Sequence, residues 1–388
     1  MGHILDYLEW RGDLLFESDK INEIDMVALS FVPLLDLEGI APKMDSGEAI
    51  SLKELMTRYN DPNNGKSRDI GLLIPYSYIV MLTKIASAER YKNLMVRDYV
   101  KILDYENTEQ LSCVTLTYND KYNLVIYSGT DDTTIGWKEN FEAMYQDFSL
   151  ASLDGVKYLS TQAVKYPGKV YVFGHSKGGN ISLVSAMKCS DEAYKRIERT
   201  YSFDGQGIPR IEILSEKECE RFKKVYKIVP DSSIVGRIFT HLGKIKIVKS
   251  SNKGVNQHDA MSWELSGKKF NYVKSFNKDS DEIKRLVDGA LEKLTDNDKR
   301  EVVRVIYGLC EENDIKTLLE LRKKRSGFIK SFMKLSKQDK KLVSSVFMIL
   351  FKEKAFRDTL FDGIYTGIKT DFSKQKMLKK NEPIMVEE

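Results

Sequence analysis

The segment around Ser176 has the residue pattern of a catalytic serine on a tight turn. The stretch Gly174-His175-Ser176-Lys177-Gly178 is a G-x-S-x-G motif, with an apolar strand pattern before it and a helix pattern after it. A sharp strand-to-helix turn exposes the serine hydroxyl, and the two glycines let the helix pack closely on the strand. The helix start also directs partial positive charge at the site. The pattern predicts that Ser176 is a nucleophile, with a glycine-rich turn that merely contains serine as the alternative.

A serine nucleophile needs a base, because its hydroxyl is hardly ionised at neutral pH. The chain has four histidines, and only His241 and His258 follow Ser176. His258 lies in the loop after a predicted strand at 244–248, where it would reach the same sheet edge as the serine. We therefore predict that His258 is the base. We expect His241 at the surface or an interface, and His175, next to the serine, packed against the sheet.

Two aspartates could orient the imidazole of His258. Asp231 follows the predicted strand at 224–229, and Asp204 follows the strand at 199–203. The strand before Asp231 is the one directly preceding the His258 strand, where this architecture usually carries the acid. Asp231 is therefore the predicted acid. Asp204 is the alternative, although Asp204-Gly205-Gln206-Gly207 also suits a simple turn.

An oxyanion hole needs two backbone N–H donors aimed at one point. The residue after the nucleophile, Lys177, is the first predicted donor. Thr130 is the second, because Ser128-Gly129-Thr130 follows the predicted strand at 122–127 and Gly129 permits close approach. The alternative is that this segment is only a strand-ending turn.

The elements that must position these residues follow from hydrophobic periodicity. Residues 1–110 are mainly helical in pattern, and a strand pair is predicted at 113–118 and 122–127. From 169 onward, short β-rich segments alternate with helical ones up to about residue 250. This alternation predicts an α/β fold with a mostly parallel sheet and helices on both faces.

Composition narrows the class of protein. The chain has 388 residues, of which 42% are hydrophobic and 30% charged, as in a folded globular protein. Its four cysteines form no close pair, which excludes a disulfide scaffold and a CxxC zinc or redox site. Neither a metal cluster nor a phosphate-binding loop is visible in the sequence, so we expect no metal and no cofactor.

The strand pattern stops near residue 280, and the sequence predicts a second region over 281–388 that is helical and basic. Residues 321–380 hold 17 Lys and Arg against 5 Asp and Glu, interleaved with large apolar residues. We expect a packed helical appendage, a cap over the active site, or peripheral membrane contact through 321–380. No nucleic-acid partner is expected, since the rest of the chain is not basic.

Two features of the sequence predict localisation: the residues at the N-terminus and the length of the apolar runs. The N-terminus shows no basic segment followed by a long apolar one, and the longest strongly apolar run is Val346–Phe351. That run is far shorter than the roughly 20 residues of a membrane-spanning helix. We expect a cytoplasmic protein, with membrane association as an open alternative.

The motifs together resemble known families. One set of motifs is similar to the layout of class 3 (fungal-type) lipases: Tyr127-Ser128-Gly129-Thr130, Trp137, Asn140, the strand-to-helix elbow Gly174-His175-Ser176-Lys177-Gly178-Gly179, and Val229-Pro230-Asp231. More closely, the chain resembles the bacterial Mbeg-like α/β-hydrolase family over about residues 1–270. The residues that carry this resemblance are Asp6-Tyr7-Leu8-Glu9-Trp10-Arg11-Gly12-Asp13, Gly174–Asn180, Phe203-Asp204-Gly205, Gln257-His258-Asp259 and Trp263. The resemblance implies a lipase-like hydrolase fold and does not imply a substrate.

The hypothesis that follows is a serine hydrolase that cleaves carboxylic esters of lipids or other acyl substrates through an acyl-enzyme. A thioesterase or peptidase would use the same residues. The alternative from another class is a catalytically silent hydrolase fold that binds or regulates, with its basic helices contacting a membrane or a partner.

Overall fold

The computed structural model describes residues 2–66, 71–72 and 74–351. Among them, nine strands form one sheet in the order β1-β2-β3-β4-β5-β6-β7-β8-β11. The strands of this sheet are β1 Ile50–Ser51, β2 Leu94–Asp104, β3 Glu109–Tyr118, β4 Tyr122–Tyr127, β5 Lys169–His175, β6 Ile197–Phe203, β7 Val225–Pro230, β8 Lys244–Val248 and β11 Tyr272–Val273. β9 Leu265–Ser266 and β10 Lys269–Phe270 form a separate antiparallel pair.

The sheet is parallel in its centre and antiparallel at both ends. β4 to β8 pair in parallel, whereas β1 to β4 and the β8–β11 pair are antiparallel. The predicted strand pair is confirmed as β3 and β4, with Tyr118 opposite Tyr122. The helical pattern assigned to 1–110 was wrong over Leu94–Asp104, which forms β2. That segment pairs along most of β3, so cross-strand contacts override its local pattern.

Helices cover both faces of this sheet. They are α1 Ile4–Arg11, α2 Glu23–Leu29, α3 Leu52–Asn60, α4 Ser77–Ser87, α5 Thr134–Glu142, α6 Leu150–Lys165, α7 Lys177–Lys188, α8 Asp191–Arg196, α9 Glu216–Arg221, α10 Lys278–Glu292, α11 Asp296–Glu312, α12 Leu318–Lys323, α13 Arg325–Lys334 and α14 Lys337–Phe351. In β4, Leu124 and Ile126 join one buried cluster with α1, α2 and α4, and Val125 and Tyr127 join another with α6 and α7. This alternation shows that both faces of the sheet are covered, which confirms the predicted α/β class with a mostly parallel sheet and helices on both faces, next to a C-terminal helical region.

The N-terminal helices are held by a buried ion pair. Arg90 and Asp25 are fully buried, with Nη2 of Arg90 2.6 Å from Oδ2 of Asp25. The hydroxyls of Tyr7 and Tyr91 also donate to Asp25. Tyr7 belongs to the opening motif Asp6–Asp13, so this part of the motif contributes to packing. Removing one member would leave a buried charge unpaired, which is strongly destabilising.

The C-terminal helices α10 to α14 pack on one another and on α5. A small apolar cluster joins Tyr145, just after α5, to Val303 and Tyr307 of α11. Residues 352–388, the rest of the predicted basic region, lie outside the described residues, and the predicted boundary near 280 stays a prediction. No helix in the described ranges is long and apolar enough to cross a membrane.

Candidate active site

Ser176 lies at the turn between β5 and α7, in a strained backbone conformation. Its φ of 59° and ψ of −126° fall where side chains with a Cβ are rarely found. The residue is half-buried. A Cβ atom on Gly178 would lie 2.2 Å from the carbonyl oxygen of Tyr127, and one on Gly174 would lie 2.5 Å from Gly178. Both glycines are therefore required for the close helix–strand contact at the turn that carries Ser176.

Asp204 and His258 form a hydrogen-bonded pair beside this turn. Nδ1 of His258 lies 2.6 Å from Oδ2 of Asp204, and a carboxylate oxygen can only accept, so Nδ1 carries the proton. The lone pair on Nε2 is then available as a base. Ser176 is tied to the same place, because its N–H donates to the carbonyl oxygen of Phe203, at 2.9 Å. The structure thus pairs His258 with Asp204 and ties the backbone of Ser176 to the residue that precedes Asp204, and the hydrogen bond from Ser176 to His258 stays a prediction.

The environment of Asp204 keeps its carboxyl ionised. Burial alone would raise the pKa of this fully buried group, but the hydrogen bond and charge of His258 and the hydroxyl of Ser233 hold it below its ordinary value. Asp204 has a φ of 45°, so its backbone turns sharply at the end of β6. A Cβ atom on Gly236 would lie 2.0 Å from Oδ1 of Asp204, which explains why glycine stands there.

Asp231, the acid predicted from sequence, faces a different partner. Its Oδ1 accepts from Nε2 of Gln257 at 2.9 Å, and its backbone pairs with Val248 and Asn277. The expectation that Asp231 orients His258 is therefore corrected in favour of the alternative, Asp204. The physical reason is position: β6 is hydrogen-bonded directly to β5, whereas β7 lies one strand further from the elbow.

The loop that carries His258 is anchored on both sides of the histidine. Gln257 is buried, and its carbonyl oxygen accepts from Nε1 of Trp263 at 2.8 Å. On the other side, the hydroxyl of Tyr78 donates to Asp259 at 2.6 Å. These contacts give the Gln257-His258-Asp259 and Trp263 motif a structural reason, since they set the position of the imidazole ring.

His175 contacts the ring and the backbone of His258, a role that sequence reasoning missed. Its ring centre lies 4.5 Å from that of His258, and its Nε2 is 2.8 Å from the backbone oxygen of His258. A carbonyl oxygen only accepts, so Nε2 of His175 is the donor. Burial, together with the neighbouring His258, lowers the pKa of His175 to about 3. His175 is therefore neutral, and it packs against Phe31 and the sheet.

This neutral buried histidine makes the fold sensitive to acid. The pKa of His175 is about 3 in the folded chain against an ordinary value of 6.5, so the unfolded chain binds the proton first as the pH falls. Stability is then lost from about pH 6.5 downward, by up to about 1.4 kcal/mol per pH unit. In His175→Phe this loss is absent. We expect the difference in free energy of unfolding between wild type and variant to narrow by about 2 kcal/mol between about pH 7 and 5, measured by urea unfolding. A constant difference would contradict the assignment.

The backbone next to one predicted oxyanion donor, Thr130, passes close to Ser176. A Cβ atom on Gly129 would lie 3.5 Å from Cβ of Ser176, which shows how closely that backbone passes the serine. The next residue, Thr130, receives a hydrogen bond on Oγ1 from Nδ2 of Asn140, at 2.6 Å. Its own hydroxyl proton can then be given elsewhere. The N–H of Lys177 belongs to the first turn of α7, where a helix offers it no acceptor.

The side chain of Lys177 enters a buried polar network that the sequence did not reveal. Its Nζ pairs with Glu139 and lies 2.6 Å from the backbone oxygen of Gln110, and both charged groups are nearly inaccessible. Glu139 also accepts from the N–H of Ala151, at 2.9 Å. A usable signal existed: Glu139 falls one turn after Ile135, on the buried face of α5. A charge on such a face indicates a buried partner.

A second buried lysine lies on the far side of the elbow. Lys227 in β7 donates to the carbonyl oxygen of Gly205 and contacts the ring of His241. Burial lowers the pKa of Lys227 well below its ordinary value. His241 is half-buried and contacts this amine, and its expected place at the surface or an interface stays a prediction. Its partner is Lys227, whereas Asp204 pairs with His258.

The C-terminal helical region touches two loops that carry these residues. The segment before α12 pairs with the loop after Thr130: the N–H of Thr134 donates to Lys316, and that of Leu318 donates to Asp132, at 2.8 and 2.9 Å. At the other end, Arg237 forms an ion pair with Asp281 of α10, at 2.7 Å. The described helices therefore brace the edge of the sheet where the site lies.

Comparisons with known proteins gave a family match and similar solved structures. A family model described as Mbeg1-like matches residues 85–308, more than half of the chain. This match confirms the family resemblance and extends beyond the predicted boundary near 280. Among solved structures, the chain is similar to the crystal structure of M37 lipase, with 15% identity, a TM-score of 0.27, and coverage of 48% of this chain and 69% of that chain. The search of curated proteins found no match.

Proposed function

The chain belongs to the Mbeg1-like family, and from the geometry of its site we propose that it is a serine hydrolase of carboxylic esters. The observation that carries the proposal is the 2.6 Å contact between His258 and Asp204 beside a serine held in a strained turn. A strained, accessible serine next to an oriented imidazole is the arrangement that acyl transfer requires.

Each step of the proposed reaction uses a described group. Ser176 Oγ attacks the ester carbonyl while Nε2 of His258 takes its proton, and Asp204 stabilises the imidazolium that forms. The backbone N–H groups of Thr130 and Lys177 bind the oxyanion. His258 then protonates the leaving alcohol, and water releases the acyl group from Ser176 by the same route.

The proposed substrate class is an acyl ester, with lipid esters as the first candidates. This choice follows from the chemistry of an activated serine, which attacks an acyl carbonyl and forms an acyl-enzyme.

Labelling with a fluorophosphonate probe tests the proposal directly. We expect one covalent adduct per chain, mapped by peptide mass spectrometry to Ser176, together with turnover of short- or medium-chain p-nitrophenyl esters. Heat-unfolded protein is the control, since activation of the serine depends on the folded site. A folded protein that neither labels nor hydrolyses any ester in the panel would favour a catalytically silent binding or regulatory fold instead.

A further inference from the structure

The outer face of α13 carries two large apolar side chains in contact with solvent. Ile329 is 57% exposed and Met333 is 65% exposed, the highest values among the large hydrophobic residues exposed in the described structure. They are four residues apart, so they lie one above the other on the same side of the helix. A pair of apolar residues displayed in this way indicates a contact surface rather than a stray side chain.

The opposite face of α13 is held against the protein, so this orientation is fixed. Ser331 is buried and accepts a hydrogen bond from Nδ2 of Asn313, at 3.1 Å. Gly327 also approaches Asn313, because a Cβ atom there would lie 2.8 Å from its Oδ1. Ile329 and Met333 therefore point away from α11 and outward.

Basic side chains surround the apolar pair. Arg325, Lys330 and Lys334 of α13 are exposed, and among the described residues neither Lys330 nor Lys334 forms an ion pair. Residues 321–341 hold nine Lys and Arg and one acidic residue, Asp339. Viewed down the helix axis, Lys330 and Lys334 lie on one side of the apolar stripe and Arg325 lies on the other, so their stems can extend beside inserted apolar groups while the charged groups stay in a polar layer.

We propose that this face of α13, consisting of Arg325, Ile329, Lys330, Met333 and Lys334, docks on the surface of an anionic phospholipid membrane. The apolar pair would enter the boundary between headgroups and acyl chains, and the cations would bind the anionic headgroups. Nucleic acid would use the charges and leave the apolar pair without a partner. A second copy of the chain would bring two basic faces together, which like-charge repulsion opposes.

The helices that carry this face are connected to the loop of a proposed oxyanion donor. Leu318, the first residue of α12, donates its N–H to the backbone oxygen of Asp132 in the loop that carries Thr130. The proposed membrane contact is separate from the proposed hydrolysis, because the surface does not include Ser176, Asp204 or His258. Membrane binding can therefore be measured in Ser176→Ala protein, separately from any activity.

Co-sedimentation of the full chain with vesicles tests the proposal. We expect binding to mixed phosphatidylserine–phosphatidylcholine vesicles at low salt, and little binding to phosphatidylcholine alone. The double variant K330Q/K334Q should lower the affinity by about 30-fold, given a step of about fivefold for each charge near an anionic surface. The double variant I329S/M333S should lower it by about tenfold.

Matched controls and a folding readout keep the test decisive. Two substitutions far along the chain from α13 serve as controls and should leave vesicle binding unchanged. Lys53→Gln removes an exposed lysine on α3, and Ile213→Ser removes an apolar side chain that is 44% exposed. Thermal unfolding midpoints should match among all variants. Wild type that ignores anionic vesicles overturns the proposal. A loss of vesicle binding in the controls equal to that in the α13 variants also overturns it. The same holds for a dimer that I329S/M333S disrupts, or for DNA binding that K330Q/K334Q abolishes and I329S/M333S does not.

Discussion

Replacing Ser176 by alanine is expected to lower kcat/KM for ester hydrolysis by about a million-fold. The substitution removes only the side-chain hydroxyl, which is the proposed nucleophile. The oxyanion donors that remain support at most a small residual rate of hydrolysis. Steady-state hydrolysis of a p-nitrophenyl ester measures the change. Ser87→Ala is the matched control, because Ser87 ends α4 and its hydroxyl donates only to the backbone of Thr83, at 3.0 Å.

A second substitution at the same position separates catalysis from stability. In Ser176→Gly the Cβ atom that makes a φ of 59° costly is gone, so we expect the free energy of unfolding to rise by about 1 kcal/mol. Activity should fall as far as in the alanine variant. An alanine variant that retains a tenth of the wild-type rate would remove Ser176 from the proposed role.

Replacing Asp204 by asparagine is expected to reduce kcat by about 10⁴-fold. The amide has the same shape, but it cannot hold the proton on Nδ1 of His258 and stabilise a positive ring as a carboxylate does. Asp231→Asn is the matched control, because it is the same change at the end of the neighbouring strand. Its new amide oxygen can still accept from Gln257, so we expect kcat to stay near that of wild type.

The comparison of these two variants decides which acid serves His258. Both are measured with the same soluble ester, and urea unfolding checks that each remains folded. A burial-driven stability loss is expected for Asp204→Asn only, since Asp204 is fully buried and Ser233 and Gly236 are packed around it. If Asp231→Asn were the more damaging change, the structural assignment of the acid would be wrong.

Lys177 joins the two halves of the site in a way that bears on both predictions. Its backbone N–H is a proposed oxyanion donor, and its side chain is locked to Glu139 of α5. The neighbouring residue on α5, Asn140, donates to Thr130, the other proposed donor. One short helix therefore positions both donors, and α11 packs on that helix through Tyr145 and Tyr307.

Local sequence determined the parts of this protein that depend on local rules. The elbow at Gly174–Gly178 needs small residues within one turn of Ser176, and β3 and β4 pair across a tight turn, so both could be predicted without tertiary contacts. The alternation of strand and helix patterns from residue 169 onward predicted the parallel sheet, because each pattern is read within one short segment of the chain. Asn22 and Thr295 begin α2 and α11 by accepting from nearby backbone N–H groups, which is also a local interaction.

Only the tertiary structure decided between Asp204 and Asp231, because both end strands in the predicted sheet and the sequence does not say which strand lies next to β5. The same holds for β2, whose strand character comes from pairing with β3, and for Lys177, whose ion partner lies 38 residues away. The apolar pair on α13 belongs here too, since helical periodicity cannot tell which face a neighbouring helix covers. Long-range packing, which has no signature in a short stretch of chain, set these features.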